Sequence, residues 1–375
     1  MKDGDQFQIP VLVPHVPEIA LWSDFLAKSY AEGRFSNGGP VAKMAENEIS
    51  VFLGDSCEVM VCASNTSGLI ASLIAFDCRG KKVLVSNYTF AATLNAIHCS
   101  GAIPLLSDVD FQTWELSVEL IQKAQNEFPD IHAVLITRVH GFVRNFDKII
   151  EYCASNGLQV IIDVAAAFPG NPEGYKAKKN VAEVFSLHAT KPLGIGEGGA
   201  VVGVASTIDA VRKASNFGLE SNNESFGDGL NAKMDEFAAA RLLAALSNFE
   251  DYVTERRQFA NALQEIIGIS PNIVLPIGTE KTSWPFFPIK FRSPEELLKF
   301  QENLAPVAQT RRYYYPSMSE GYKGKAEVLR TSNLSVSIDL AETSLCLPVI
   351  PSLEERRRER YFNKVRDLIN LTLNQ

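Results

Sequence analysis

Apolar and polar positions along the first two thirds of the chain predict an alternation of strands and helices. Short apolar, β-branched runs at Glu58–Ala63, Lys82–Ser86, Ile103–Leu106, Ala133–Thr137, Val160–Asp163, Val184–His188 and Ala200–Val204 predict strands. Several are apolar throughout rather than at every second position, which suits strands covered on both faces in a largely parallel sheet. Between them lie predicted helices at Leu69–Phe76, Ala91–Ser100, Val118–Asn126, Phe146–Asn156 and Ile208–Asn216. Gly80, Gly101 and Gly157 fall where helix C-terminal stops are expected. This repetition predicts an α/β domain with right-handed crossovers. A longer helix is expected at Asp235–Ser247; past about residue 250 strands become fewer and helices more charged, the last running Leu353–Leu373. The predicted organisation is an N-terminal segment and large α/β domain over 1–248, followed by a small α+β domain over 249–375.

Composition narrows the function classes. The 375 residues are 46% hydrophobic and 21% charged, ordinary for a globular protein, so disorder, collagen-like repeats and coiled coil are excluded. Lys+Arg 36 against Asp+Glu 44 leaves a net charge of −8, which disfavours a nucleic-acid or anionic-membrane partner. Apolar stretches such as Val83–Val85 and His132–Ile136 fall far short of the roughly 18 residues a membrane span needs. The start, Met1-Lys2-Asp3-Gly4-Asp5, reads as no secretory signal. Cys57, Cys62, Cys78, Cys99, Cys153 and Cys346 form no C-x-x-C pair, and no metal site is expected; they read as reduced, mostly buried thiols of a cytoplasmic protein. The arginines of 356–360 follow Glu354-Glu355 on a helix and read as a solvated, internally paired face.

Three segments carry chemistry. Ser64-Asn65-Thr66-Ser67-Gly68 lies between a strand and a helix, where outward-pointing N–H groups at the helix's positive end suit an anion such as phosphate. It is neither a P-loop nor a G-x-G-x-x-G dinucleotide fingerprint. Asp163 closes an apolar strand, at the end of the sheet where ligands bind, and a buried carboxylate there needs a cation or a donor. Lys191 follows an apolar strand and precedes Gly194-Ile195-Gly196-Glu197-Gly198-Gly199; a desolvated lysine becomes a nucleophilic amine able to form a Schiff base. Each alone also has a plain reading: a Ser/Asn helix cap, an Asp capping the next turn, a surface lysine in a loop. Together, a phosphate site, an acid for a ring nitrogen and a Schiff-base lysine are the anchors of pyridoxal 5'-phosphate. Their order along the chain fits the large domain of fold type I enzymes that use this cofactor.

Further motifs carry a resemblance. They are Gly39-Pro40, Ser64–Ser67, Ser86–Thr93, Asp108-Val109-Asp110, Ile162–Ala166, Ser186–Lys191, Glu197–Val202, Gly229–Met234 and Leu345–Pro348. With these in register, nearly the whole chain resembles the DegT/StrS family of pyridoxal phosphate-dependent sugar aminotransferases. The resemblance implies Lys191 as Schiff-base lysine and proton shuttle, and Asp163 as partner of the pyridine nitrogen. It implies Phe90 as the stacked ring, and Thr66, Ser67 and Ser186 as phosphate ligands. Asn231 is similar to the asparagine that reaches the phosphate of the other subunit, which implies a homodimer with shared active sites. Two departures stand out: Ala166 replaces a frequent Gln, so one side-chain contact near the cofactor is missing or made by another group, and Asn65-Thr66-Ser67 replaces N-G-T.

Ser186–Lys191 and Arg311-Arg312-Tyr313-Tyr314-Tyr315-Pro316 look most like the subgroup that aminates nucleotide-linked 3-keto-6-deoxy sugars. His188 reads equally as a substrate contact and as a packed histidine at a strand end; Tyr313 and Tyr315 as a sugar or phosphate lining and as a half-buried strand. The expected enzyme moves an amino group from L-glutamate to a keto sugar for cell-surface polysaccharide (lipopolysaccharide) or glycoconjugate synthesis. Alternatives are a 4-keto nucleotide sugar or an oxo-octulosonate as acceptor, or a sugar dehydratase, whose relatives carry His at the lysine position. A nicotinamide dehydrogenase lacks its glycine fingerprint here, and a non-catalytic cofactor-binding regulator would need no Lys191.

Overall fold

The computed structural model describes residues 8–168, 175–219, 224–225, 227–268, 270, 272–279 and 281–373. The reading of Met1–Asp5 lies outside the described residues. The strands are β1 (Glu58–Cys62), β2 (Lys82–Ser86), β3 (Ile103–Ser107), β4 (Ile131–Thr137), β5 (Gln159–Val164), β6 (Val181–Ser186), β7 (Gly199–Gly203), β8 (Phe287–Lys290), β9 (Leu329–Arg330) and β10 (Ser344–Leu347). Eight of them form one sheet in the order β1-β7-β6-β5-β4-β2-β3-β9, while β8 pairs with β10. From β6 across to β9 all neighbours run parallel; β7 runs antiparallel to both β6 and β1. The reversal has a local cause. Residues 187–198 between β6 and β7 form no helix, and the two arms of this loop hydrogen-bond to each other, which returns the chain antiparallel as a wide hairpin.

Strands that read as continuously apolar do face two cores. Val160 and Ile162 of β5 pack on one side with Ile49, Ile121 and Leu242, and Ile161 packs on the other with Leu69, Leu94 and Ile208. Helices at Asn65–Ala75, Ala91–Cys99 and Ala205–Ser215 cover the second side, and helices at Pro40–Phe52, Val118–Glu127, Asp147–Ser155 and Glu236–Ser247 the first. The predicted helices therefore exist, within a few residues at their ends. Each fully buried Val, Leu or Ile at these positions contributes about 1.5–3 kcal/mol. A third core is drawn mainly from the C-terminal part: β8, β10 and helices at Phe249–Ile267, Pro294–Leu304, Ser335–Thr343 and Glu355–Leu373, joined by Ile9, Tyr88 and Trp114. Among the described residues no helix is long and apolar enough to cross a membrane.

Two elements differ from expectation. β6 begins at Val181 and ends at Ser186, three residues before the expected start and two before the expected end. Its end is set by a turn in which Ser186 Oγ accepts the His188 N–H at 3.3 Å and the Lys191 N–H bonds the His188 carbonyl at 2.8 Å. The helix at Pro40–Phe52 has only Gly39-Pro40 as a sequence marker. Its N-terminus is capped from far away: the buried Glu236 carboxylate accepts the N–H groups of Val41 (2.7 Å) and Ala42 (3.0 Å) and the hydroxyl of Ser29 (2.9 Å).

Candidate active site

The C-terminal ends of β4, β5 and β6 and the helix that follows β1 converge on one cavity of about 340 Å³. Asp163 stands in the middle of this arrangement, paired in register with Thr137 of β4 and Val184 of β6. Its side chain is buried and accepts three hydrogen bonds: Thr93 Oγ1–H at 2.7 Å, the Ala165 N–H at 3.1 Å and Asn65 Nδ2–H at 3.2 Å. Asn65 is itself anchored on the Val184 carbonyl at 2.8 Å, and Thr93 accepts the Thr89 hydroxyl at 3.0 Å. Burial still pushes the Asp163 carboxyl above the usual carboxylate range, only partly offset by these donors and by the charge of Lys191. A carboxylate so held is oriented but short of positive charge.

At the other side of the cavity, Ser64 and Ser67 form a capping box at the start of the helix Asn65–Ala75. Ser64 Oγ accepts the Ser67 N–H at 3.1 Å, and Ser67 Oγ accepts the Ser64 N–H at 3.0 Å. The amides of Asn65 and Thr66, in the first turn, have no intrahelical acceptor, which is the geometry of an anion site. Gly199 of β7 lets this turn come close to the sheet. A Cβ there would sit 2.6 Å from the Ser64 carbonyl carbon and 2.7 Å from the Asn65 nitrogen, so only glycine fits.

Lys191 sits in the loop that joins β6 to β7. Backbone bonds tie the two arms of this loop together: Leu187 N–H to Gly198 O, Ile195 N–H to Leu187 O and Ala189 N–H to Gly196 O. The loop therefore has a defined shape and holds Lys191 in the cavity wall. Burial pulls its ammonium below the ordinary lysine range, against the attraction of Asp163 and with Arg311 pushing the same way. Burial shifts the balance toward the neutral amine, beside an oriented carboxylate and an open helix N-terminus.

The DegT/DnrJ/EryC1/StrS aminotransferase family matches this chain over residues 23–366. The chain belongs to that family. It is 27% identical over 374 residues to the dTDP-4-amino-4,6-dideoxy-D-glucose transaminase of Shigella dysenteriae, covering 96% of this chain and 99% of the relative. It is 28% identical over 312 residues to GDP-perosamine synthase of Escherichia coli O157:H7, covering 79% and 81%. Among solved structures, DesI in the presence of its TDP-sugar product matches with TM-score 0.83 at 25% identity, over 99% of this chain and 95% of that one. The protein is a pyridoxal phosphate-dependent aminotransferase, and its fold is that of this enzyme class.

The residues of this aminotransferase fit the cofactor. The N–H groups of the Thr66 turn would suit the phosphate, and Ser186 lines the same cavity at the end of β6. Asp163 would face the ring nitrogen with an oriented carboxyl group, Lys191 would supply an amine, and the half-exposed Phe90 ring borders the same space.

Of the residues expected from sequence, Thr66, Phe90, Asp163, Ser186, His188, Lys191 and Tyr313 line this cavity. Three are not brought to it. Ser67 spends its hydroxyl in the capping box. Tyr315 is 48% exposed and lines a neighbouring cavity of about 480 Å³, which shares Phe90, Arg311, Tyr313 and Tyr314 with the first. Asn231 lies exposed in a bridge to Asn216, away from its own chain's cavity. His188 is half-buried: its Nδ1 accepts the Thr190 N–H at 3.3 Å, and Nε2 faces Glu197 at 3.6 Å. Residues missed from sequence are Asn65 and Thr93, which orient Asp163, and Arg138 and Phe286 in the wall; Arg311 and Tyr314, singled out only as part of the motif at 311–316, line it as well. Thr93 falls inside the Ser86–Thr93 motif, but nothing local points to a partner seventy residues away.

Proposed function

We propose that this aminotransferase transfers an amino group from L-glutamate to a keto sugar carried on a nucleotide. The reading is carried by one observation: an amine, a buried carboxylate and an open helix N-terminus meet around a single cavity in a chain of this family. Bound there, pyridoxal phosphate supplies a carbonyl for amines and an electron-withdrawing ring. The Asp163 carboxylate holds negative charge against the ring nitrogen, and Thr93 and Asn65 keep it aimed. Lys191, its ammonium held below the ordinary lysine range by burial, takes the proton from the carbon that gives up the amino group and returns it to the carbon that receives it. Residues 249–375, treated as a second domain, wall the cavity through Phe286, Arg311, Tyr313 and Tyr314.

The name of the Shigella dysenteriae relative supports a nucleotide-linked 6-deoxy sugar aminated at carbon 4; the subgroup resemblance supports carbon 3. The product would serve cell-surface polysaccharide or glycoconjugate synthesis in the cytoplasm. The test is spectroscopic. L-glutamate should convert the bound cofactor to its pyridoxamine form, and a panel of 3-keto and 4-keto nucleotide sugars should then be scored for restoring the original spectrum. A cofactor-loaded protein whose spectrum does not respond to glutamate, or to any keto sugar, would overturn the reading.

The same proposal makes the enzyme a homodimer in which Asn231 serves the partner's phosphate. Its exposed position outside its own cavity supports this. Losing such a charge-assisted contact should cost about 1.5–3 kcal/mol of cofactor binding. Mixing Lys191→Ala chains with Asn231→Glu chains tests the crossing: both defects then fall in one site, the other site is intact, and activity should reappear. Mixed dimers without rescue would remove the shared-site reading and leave the aminotransferase reading standing.

A further inference from the structure

Pyridoxal phosphate has four polar features, and the residues above account for three: the phosphate, the ring nitrogen and the carbonyl carbon. The fourth is the phenolic oxygen, on the ring carbon next to the one bearing the carbonyl and on the side away from the phosphate arm. The resemblance leaves a side-chain contact near the cofactor unfilled at Ala166.

With the phosphate at the Thr66 turn, this oxygen would lie toward the other side of the cavity. Asp163 is the next-to-last residue of β5, and the residues proposed for the phosphate come from the side of β6, β7 and β1. The opposite side belongs to β4 and β2, whose following turns carry His140 and Tyr88. Tyr314 packs there. Its ring centroid lies 4.9 Å from Tyr88 and 5.0 Å from His140, and its hydroxyl oxygen accepts the His140 N–H at 3.5 Å. His140 is held in turn by Tyr88 Oη at 3.0 Å and Cys346 Sγ at 3.7 Å. Ala166 adjoins the same turn: a Cβ on Gly141 would lie 2.5 Å from the Ala166 carbonyl oxygen.

We infer that the Tyr314 hydroxyl donates to the cofactor's phenolic oxygen, in the place that the short side chain of Ala166 leaves open. Tyr314 lines the cavity, and among the described residues its hydroxyl proton goes to no acceptor. Burial keeps that phenol protonated, as a donor must be. Two other polar groups on this side already have partners. Thr137 Oγ1 bonds Thr89 Oγ1 at 2.8 Å, and Arg138 donates to the Arg144 carbonyl at 2.6 Å and lies over the Phe146 ring.

The inference rests on the cofactor seat between Asp163 and Lys191, and its readout separates the two. The lysine-bound cofactor changes colour when it loses a proton, and a donor to the phenolic oxygen stabilises the deprotonated form. Tyr314→Phe keeps the ring and removes only the hydroxyl, so the pH midpoint of the colour change should rise by about one to two units, the worth of one hydrogen bond to a charged oxygen. Adding Ala166→Gln to that variant supplies another donor and should bring the midpoint back toward the parent value. A midpoint unchanged by Tyr314→Phe in the loaded protein would overturn the inference. A parent protein with no Lys191-dependent colour would instead overturn the seat. For a readout that does not depend on the variant folding, 3-fluorotyrosine placed at 314 should show a ¹⁹F resonance that moves on loading with pyridoxal phosphate; an unmoved resonance would also count against the assignment.

Discussion

Lys191→Ala is expected to abolish the borohydride-trappable link between protein and cofactor and to lower steady-state turnover by about 10²–10⁴-fold or more, the range for a lost proton-transfer group. The cofactor should still bind, because the helix N-terminus at Thr66 and the Asp163 carboxylate are untouched. In the parent, the rate of cofactor loading should rise with pH through a midpoint below that of an ordinary lysine. Burial lowers the amine's proton affinity, and only the neutral amine attacks a carbonyl. Mass spectrometry of the reduced protein and stopped-flow absorbance against pH check both statements. Normal turnover without the side chain, or a loading profile matching a free alkylamine, would remove Lys191 from its role.

Asp163→Asn should cut the glutamate half-reaction by about 10²–10³-fold, the range found when one preorganised electrostatic partner is lost. Cofactor retention should change much less. Stability should move the other way. Burial raises the carboxyl's proton affinity in the folded chain, so its ionisation costs stability as the pH rises from the ordinary carboxylate value through the raised one. The neutral amide escapes that cost, and the Thr93 hydroxyl can turn to accept from it. The cofactor-free variant should therefore melt no lower than the parent at pH 7. Single-turnover absorbance and calorimetry test the pair; an unchanged half-reaction rate would contradict the electrostatic role, and a Tm several degrees lower would contradict the sign of the burial effect.

Both predictions rest on residues that stand out in the amino-acid sequence alone. The order of phosphate turn, acid and lysine is readable there because each announces itself within a few residues. Ser64 and Ser67 cap a helix, Asp163 interrupts an apolar strand, and Lys191 precedes glycines that only a close backbone approach requires. The strands and helices of the α/β part are likewise set by local periodicity and stops. The resemblance implies Ser67 as a phosphate ligand, but its place three residues after Ser64 also makes it the N3 residue of a capping box, and the helix takes the hydroxyl.

What the sequence by itself determined, then, is the alternation of elements, the α/β class and the chemical inventory at the strand ends. Those follow from interactions between neighbours along the chain, whose energies depend on residue type and spacing alone. Only the tertiary structure decided that Asn65 and Thr93 aim Asp163, that Glu236 caps a helix begun at Pro40, that Asn231 stays out of its own cavity, and that Tyr314 and the Ala166 gap share one turn. Each of those pairings joins segments far apart in sequence, and those around Asp163 are brought together by the order β6-β5-β4-β2. Strand order comes from which buried faces satisfy one another across the whole sheet, a property that no single segment carries.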